Sequence, residues 1–310
     1  MRDLLEKWDP ELTQATISPV TDAVWRVEFG DTAYILKYRS TRTRVWEEYD
    51  LLNWLLENGQ PISPLLYTRE GTPWAEHQGG FYVLYSFVEG TLGNELPRFD
   101  SAIAKEAGVA LARLHQGLAA YGHSEAFPVF DLFHEVATYA WPTVQGYATT
   151  KFLHSMHDLE QAIGGEMINP YEALPRQLIH RDFHPGNLVF QQERVVGILD
   201  FDRVRMGIRL FDLCYLVTAI LSEMFPDPRL RNEWLSVVQA LIEGYGSVQR
   251  LEKTEGYSFL FIVYLIQVLF SSYYLDAGNT EMADLNMAML LWINDQHDFL
   301  QPLIEKIVAG

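Results

Sequence analysis

Asp182, Asn187 and Asp200 are the residues whose types and spacing could do chemistry together. They lie in His180-Arg181-Asp182-Phe183-His184-Pro185-Gly186-Asn187 and in Gly197-Ile198-Leu199-Asp200-Phe201-Asp202, with Asn187 five and Asp200 eighteen residues beyond Asp182. Phosphoryl transfer from ATP needs a loop carboxylate to accept the proton of an attacking hydroxyl. It also needs hard oxygen ligands that hold Mg²⁺ against the phosphates. Asp182 suits the first role, Asn187 and Asp200 the second. A single loop Asp is ordinarily a turn or a helix cap. That bland reading leaves Asn187 and Asp200 unexplained at their spacings.

Two further sets bear on the same chemistry. Lys37 closes the run Tyr34-Ile35-Leu36-Lys37, where an ammonium can neutralise the α- and β-phosphates of ATP. A helix carboxylate should hold it in place, with Glu48 the better candidate and Glu47 beside it. Exposed Lys and Glu on solvated faces are the ordinary alternative. His180 and His184 stand four apart and invite a zinc reading, but Pro185-Gly186 disfavours a helix there. No Glu follows His180, and no third or fourth ligand stands at a recognisable spacing, so the histidines are expected to be hydrogen-bonded supports of the loop.

These groups must be positioned by regular elements. Alternation predicts strands over 24–29 and 33–38 around the turn Gly30-Asp31-Thr32, and a short strand over 81–85. Between them, Val45, Tyr49, Leu52, Leu55 and Leu56 recur at a helical period over about 43–57, with Asn58-Gly59 as the stop. Asp100 is placed to cap a helix carrying Ile103, Ala107, Leu111 and Leu114. Strands over 188–190 and 195–199 flank a polar turn, and the stretches 210–224, 232–245, 257–275 and 282–308 read as helices. The phosphate-covering loop is expected near Ser18-Pro19-Val20-Thr21-Asp22-Ala23, which lacks glycine and gains no N–H from Pro19.

Bulk properties set bounds. The chain has 310 residues, 48% hydrophobic and 21% charged, as in an ordinary folded protein large enough for two lobes. A net charge of −18 argues against a nucleic-acid partner and permits a cationic ligand. Cys214 is the single cysteine, which excludes an intrachain disulfide and suits a reducing compartment. The charged N-terminus has no signal-peptide core, so a cytoplasmic location is expected. The uncharged stretch 257–275 contains Gln267, Ser271 and Ser272 and is expected to be a buried helix and not a membrane span.

Taken together, these residues resemble the aminoglycoside phosphotransferase and choline kinase superfamily, over most of the chain from about Ser18 onward. The resemblance implies an α+β, bilobal, protein-kinase-like fold. A small β-rich nucleotide-binding lobe would span 1–86, and a larger, mainly helical catalytic and acceptor-binding lobe 87–310. It places the family's base on Asp182, its magnesium ligands on Asn187 and Asp200, and its phosphate-contacting Lys–Glu pair on Lys37 and Glu48. In Leu84-Tyr85-Ser86-Phe87-Val88-Glu89-Gly90 the Ser86 carbonyl and the Val88 N–H would pair with adenine. Gly108 to His115 resembles the first helix of the large lobe, and Asp212 an aspartate that braces the catalytic loop. Two residues depart from the patterns: Arg181, which spells the protein-kinase triplet His-Arg-Asp, and Asp202, which replaces the glycine of a protein-kinase metal turn. Only eleven residues separate Asp200 from Asp212, too few for a long activation segment.

The implied reaction uses ATP and Mg²⁺ and moves the γ-phosphate to a hydroxyl of a small molecule. Aromatic residues (Phe130, Phe133, Tyr139, Trp141, Tyr147, Phe152, Tyr273, Tyr274, Trp292) and the carboxylates of Asp131, Glu135, Asp276 and Asp295 suit an amine-bearing acceptor, though core packing explains the aromatics equally well. A bacterial stress-type Ser/Thr protein kinase and a catalytically weak pseudokinase are the alternatives. Nothing in the sequence sets an oligomeric state.

Overall fold

The computed structural model describes residues 1–309. The chain forms two compact units, one β-rich and one helical, an α+β architecture. The first comprises Met1–Thr91 together with Val189–Gln191 and Val195–Asp202; the second takes Leu92–Leu188, Gln192–Arg194 and the chain from Arg203 onward.

In the first unit, β1 (Thr16–Thr21), β2 (Val24–Phe29), β3 (Thr32–Arg39), β4 (Ala75–His77) and β5 (Gly80–Ser86) form an antiparallel sheet in the order β1-β2-β3-β5-β4. Gly30, with φ 59°, makes the turn between β2 and β3. Alternation sorts the two faces: Val27, Leu36 and Leu84 are buried against Leu4, Leu5, Trp8 and Leu12 of the N-terminal segment. The opposite face of β3 carries Lys37 and Arg39. The register pairs Lys37 with Val83 and Ile35 with Tyr85, which brings Tyr85 to the same face. The helix Val45–Glu57 buries Leu51, Leu52, Leu55 and also Glu48. Gly59, at φ 73°, follows its end.

The sequence expectation of a phosphate loop over 18–23 is corrected here. Ser18 to Thr21 belong to β1 and pair with β2, leaving only Asp22-Ala23 as the connection. The β-branched Ile17, Val20 and Thr21 favour an extended edge strand, where Pro19 is tolerated.

The remaining strands are β6 (Thr91–Leu92), β7 (Arg176–Ile179), β8 (Leu188–Gln191), β9 (Arg194–Ile198) and β10 (Arg205–Ile208). The order β6-β8-β9 forms one small sheet. Gln192 and Glu193 turn between β8 and β9 with left-handed φ of 46° and 62°, as a tight hairpin requires. Within the first unit, β9 is tied down where the Ile198 N–H donates to the Pro61 carbonyl at 2.7 Å. In the second unit, β7 and β10 pair antiparallel, with Ile179 opposite Arg205.

Helices Ser101–Ala120, Leu210–Met224, Pro228–Gly246, Lys253–Asp276, Thr280–Asn294 and His297–Ala309 are the long helices of the second unit, with shorter ones between Leu132 and Glu172. Asp100 caps the first, accepting from the Ala102 and Ile103 N–H groups. Gly108 and Gly244 allow two helices to touch backbone to backbone. A Cβ at Gly108 would overlap the Leu241 carbonyl, and one at Gly244 the Lys105 carbonyl. Lys253–Asp276 is long and apolar enough to cross a membrane, yet 78% of its apolar window is buried inside the protein, as expected of a core helix. The stretch 282–308, expected to be mostly helical, forms two helices. The first ends at Asn294, and polar Asp295-Gln296 lets the chain turn before His297.

Candidate active site

The first unit gathers a charged cluster on the outer face of β3. Lys37 Nζ donates to Asp200 Oδ1 at 2.6 Å and to Asp202 Oδ2 at 3.2 Å. Arg39 Nη2 donates to both oxygens of Glu48, at 3.0 and 2.7 Å, and to the Tyr85 hydroxyl at 3.0 Å. Tyr85 in turn donates to Glu48 Oε1 at 2.6 Å. The expected partnership of Lys37 with Glu48 is therefore corrected. Positions 37 and 39 share a face because strand side chains alternate, and the multi-donor guanidinium satisfies the buried carboxylate more fully than an ammonium. Lys37 is left to the two aspartates beyond β9.

Burial would raise the Asp202 carboxyl. The Lys37 ammonium, the Arg39 guanidinium and a hydrogen bond with Asp200 outweigh it and hold Asp202 down at about 2. Burial pushes the Glu48 carboxyl up, opposed by Arg39 and Tyr85. Asp200 itself has φ 63°, a left-handed conformation that costs a side-chain-bearing residue on the order of 1–3 kcal/mol and gathers at functional sites. At the expected adenine edge the Ser86 carbonyl accepts from the Ser63 hydroxyl, and Val88 packs its Cγ1 where a Cβ on Gly197 would otherwise sit.

In the second unit, β7 delivers the catalytic-loop candidates. Asp212, fully buried at the start of helix Leu210–Met224, accepts from the backbone N–H groups of His180 and Arg181, both at 2.7 Å. Its Oδ2 also meets His115 Nε2 at 3.0 Å, and His115 Nδ1 meets the Tyr245 hydroxyl at 2.8 Å. This clamp holds Arg181 at φ 66° and so sets the direction in which Asp182 leaves the strand. His180 Nδ1 accepts from the Asp182 N–H, and His184 Nδ1 from the Gly186 N–H. Both histidines shape the loop, as expected. Among the described residues no group of three or more His, Cys, Asp or Glu is placed to hold a metal.

Asp182 is approached from two sides. Asn187 Nδ2 donates to its backbone oxygen at 2.9 Å and to Oδ2 at 3.3 Å, and the Tyr215 hydroxyl lies 3.3 Å from Oδ1. Burial, with the nearby Asp182 carboxylate, pushes Tyr215 up, so its hydroxyl remains a donor. With its nitrogen turned to Asp182, the Asn187 amide presents an oxygen to any cation. In the first unit, Asp200 offers carboxylate oxygens that already hold an ammonium; an amide oxygen and a carboxylate are each hard donors of the type that Mg²⁺ takes.

Of the acceptor candidates, the fold brings together Phe130, Glu135 and Tyr273. Tyr273 donates to Glu135, and the Arg181 guanidinium lies 4.0 Å from the centre of the Phe130 ring. Trp141 and Phe152 are buried core, Trp292 packs on Trp234, and Asp131 caps a helix while accepting from Tyr171. Sequence reasoning missed Arg39, Tyr215 and Phe270. Arg39 could have been found from its two-residue offset to Lys37. Tyr215 lies three positions after Asp212, one turn further along the same helix.

A model of a phosphotransferase enzyme family matches residues 15–255. A homoserine kinase from Phenylobacterium zucineum (strain HLK1) is 24% identical over 209 residues, which covers 66% of this chain; the match spans 60% of that relative's length. An aminoglycoside phosphotransferase from Alicyclobacillus acidocaldarius is similar in structure, with a TM-score of 0.73 at 16% identity, over 100% of this chain and 96% of its own. A microcompartment-associated aminopropanol kinase gives 0.73 at 19% identity, over 96% of each chain. An amicoumacin kinase in complex with AMP-PNP, Ca²⁺ and Ami gives 0.65 at 17%, over 92% of this chain and 89% of its own. At these identities the structural likeness shows the fold, the bilobal α+β arrangement of such kinases.

Proposed function

The chain belongs to the phosphotransferase enzyme family, and from that premise we propose that it transfers the γ-phosphate of ATP to a hydroxyl of a small, amine-bearing molecule. The observation that carries this reading is the setting of Asp182. A carboxylate faced by an amide and a phenol, on a loop whose backbone is clamped by a buried aspartate, is a preorganised proton acceptor. In the reaction Asp182 orients the acceptor hydroxyl and takes its proton as the oxygen attacks the γ-phosphorus. The bond from that phosphorus to the bridging oxygen breaks, and ADP leaves. Asn187 and Asp200 would hold Mg²⁺, which when bound neutralises charge on the phosphates. Lys37 exchanges an aspartate oxygen for a phosphate oxygen, and Ser86 and Val88 offer a carbonyl and an N–H to adenine.

The small-molecule acceptor is favoured over a protein by what fills the chain between Asp200 and Asp212. A 3-10 turn at Phe201–Arg203, then β10, then the helix beginning at Leu210 take up this stretch, with no room for a regulatory segment. The amine follows from relatives whose names include homoserine and aminopropanol, both amino alcohols in chemistry.

The test is ATP consumption over amino alcohols, hydroxy amino acids, aminoglycosides and a generic protein acceptor. Asp182→Asn should retain Mg²⁺-dependent binding of a non-hydrolysable ATP analogue and lose turnover by about 10²–10⁴-fold. Unchanged turnover in that variant would remove Asp182 from the role of base.

A further inference from the structure

We propose that Glu135 and Arg181 form the acceptor subsite and receive, respectively, the ammonium and the carboxylate of a small zwitterionic hydroxy amino acid. The inference rests on the phosphotransferase reading of Asp182, and it is carried by a cluster lying wholly within the second unit.

Arg181 precedes Asp182 directly and sits at φ 66°, a conformation that glycine would adopt at less cost. Its side chain engages the Tyr273 phenol and still keeps donors to spare. The guanidinium covers the Phe130 ring, Nε is buried with no hydrogen-bond partner, and Nη2 stands 3.9 Å from Glu135 Oε2. That distance is an ion pair and not a hydrogen bond. A fork of five N–H donors, held flat by an aromatic ring, is shaped for a carboxylate.

Glu135 closes the short helix Leu132–Glu135, where the chain passes into a π-helical turn over Val136–Ala140. Such turns re-aim side chains and often occur at functional sites. Its side chain is 30% exposed, so solvent and ligand can reach it. Tyr273 donates to it, and burial together with the Glu135 carboxylate pushes that phenol up to about 12, so it remains a donor. A line of rings connects this carboxylate to the base. The Tyr215 hydroxyl meets Asp182, Tyr215 stacks on Phe270 at 4.9 Å, and Phe270 meets Tyr273 edge-on at 5.8 Å.

The charge pattern selects the ligand. Glu135 and Arg181 compensate one another loosely when alone. An ammonium without a carboxylate would satisfy Glu135 and leave the half-buried guanidinium unpaired; a hydroxy acid would do the reverse. A zwitterion satisfies both groups.

The experiment uses the whole enzyme with MgATP and three acceptors that share one hydroxyl and carbon spacing: L-homoserine, 3-aminopropan-1-ol, which lacks the carboxylate, and 4-hydroxybutyrate, which lacks the ammonium. We expect kcat/KM for the zwitterion to exceed each of the others by about 30-fold or more, in line with the loss of a buried charged partner. Glu135→Gln should narrow only the gap to 4-hydroxybutyrate, and Arg181→Met only the gap to aminopropanol, each mainly through KM. A purely structural ion pair would instead lower all three acceptors alike, which overturns the proposal. So does aminopropanol equalling homoserine, or turnover on other acceptors but none of these three. Nucleotide binding is measured separately by calorimetry with a non-hydrolysable analogue. Its Mg²⁺-dependent presence without turnover of any of the three defeats the subsite alone, whereas its absence defeats the phosphotransferase reading as well.

Discussion

Replacing Asp212 by Asn tests the clamp under the proposed catalytic loop with a change of almost no volume. The carboxylate accepts from His180 N and His115 Nε2 on Oδ2 and from Arg181 N on Oδ1. An amide supplies one acceptor oxygen, so its NH₂ must face at least one of these donors. The less costly orientation keeps the two contacts on Oδ2 and turns the NH₂ toward Arg181 N–H. A buried backbone donor left unpartnered costs about 1–3 kcal/mol, and the two remaining bonds lose charge assistance worth about 1 kcal/mol each. Removing a buried charge returns part of this, leaving a net loss of about 2–4 kcal/mol. With an unfolding entropy of about 2.1 cal/mol/K per residue, a loss of about 3 kcal/mol lowers Tm by about 5 °C for this chain. The bond that fails is also the one that holds Arg181 at φ 66°. The released peptide relaxes toward ordinary φ and shifts Asp182, and a displacement of about 1 Å costs about 10² in rate. Calorimetric scanning reads the first effect and kcat the second. A variant that melts within about 1 °C of the wild type and turns over normally would refute the clamp.

Three further outcomes follow from the charged clusters. Glu48→Gln strips the buried Arg39 of its carboxylate and should lower stability in urea by about 3–5 kcal/mol; a loss under 1 kcal/mol would show that Arg39 does not depend on Glu48. Asp202 titrates at about 2 when folded, below its ordinary 3.8, so its contribution is complete above about pH 4 and vanishes as the pH falls to 2. That contribution is about 2 kcal/mol, and Asp202→Asn should flatten the acid limb of a stability–pH curve in this window. Arg209 donates to the fully buried Glu255 at 2.8 and 2.5 Å, so Arg209→Met alone should cost about 3–5 kcal/mol by urea titration. Met at both positions should cost less than either single change; additive losses would rule out the coupling.

Local pattern carried far in this chain. The strand over 24–29, the helix over 210–224 and the cap at Asp100 are found where alternation, helical period and capping chemistry place them. β1 was not legible, because Ser18-Pro19 reads as a loop and only pairing to β2 makes it a strand. The π-helical turns at Val136–Ala140 and Ala162–Glu166 have no sequence signature of their own and arise from tertiary packing. Residues of the candidate site are similarly divided. Asp182 and Asn187 could be read from one loop, since their mutual contact spans five residues. The choice of Arg39 over Lys37 as partner of Glu48 depends on where two aspartates more than 160 residues away fall, which spacing cannot report.

The grip of Asp200 and Asp202 on Lys37 makes that lysine an occupied receptor, with the protein's own carboxylates as resident ligand. On the proposed function, a nucleotide meeting this face would not find a bare cation in search of a counter-ion. It would trade one anion for another. Such an exchange releases few ions from solution, so the affinity for a magnesium–nucleotide complex should respond only shallowly to ionic strength. The trade also works as a filter. Free phosphate, which brings no cation for the displaced aspartates, would leave both carboxylates uncompensated, whereas a metal-laden polyphosphate supplies a new partner to each side.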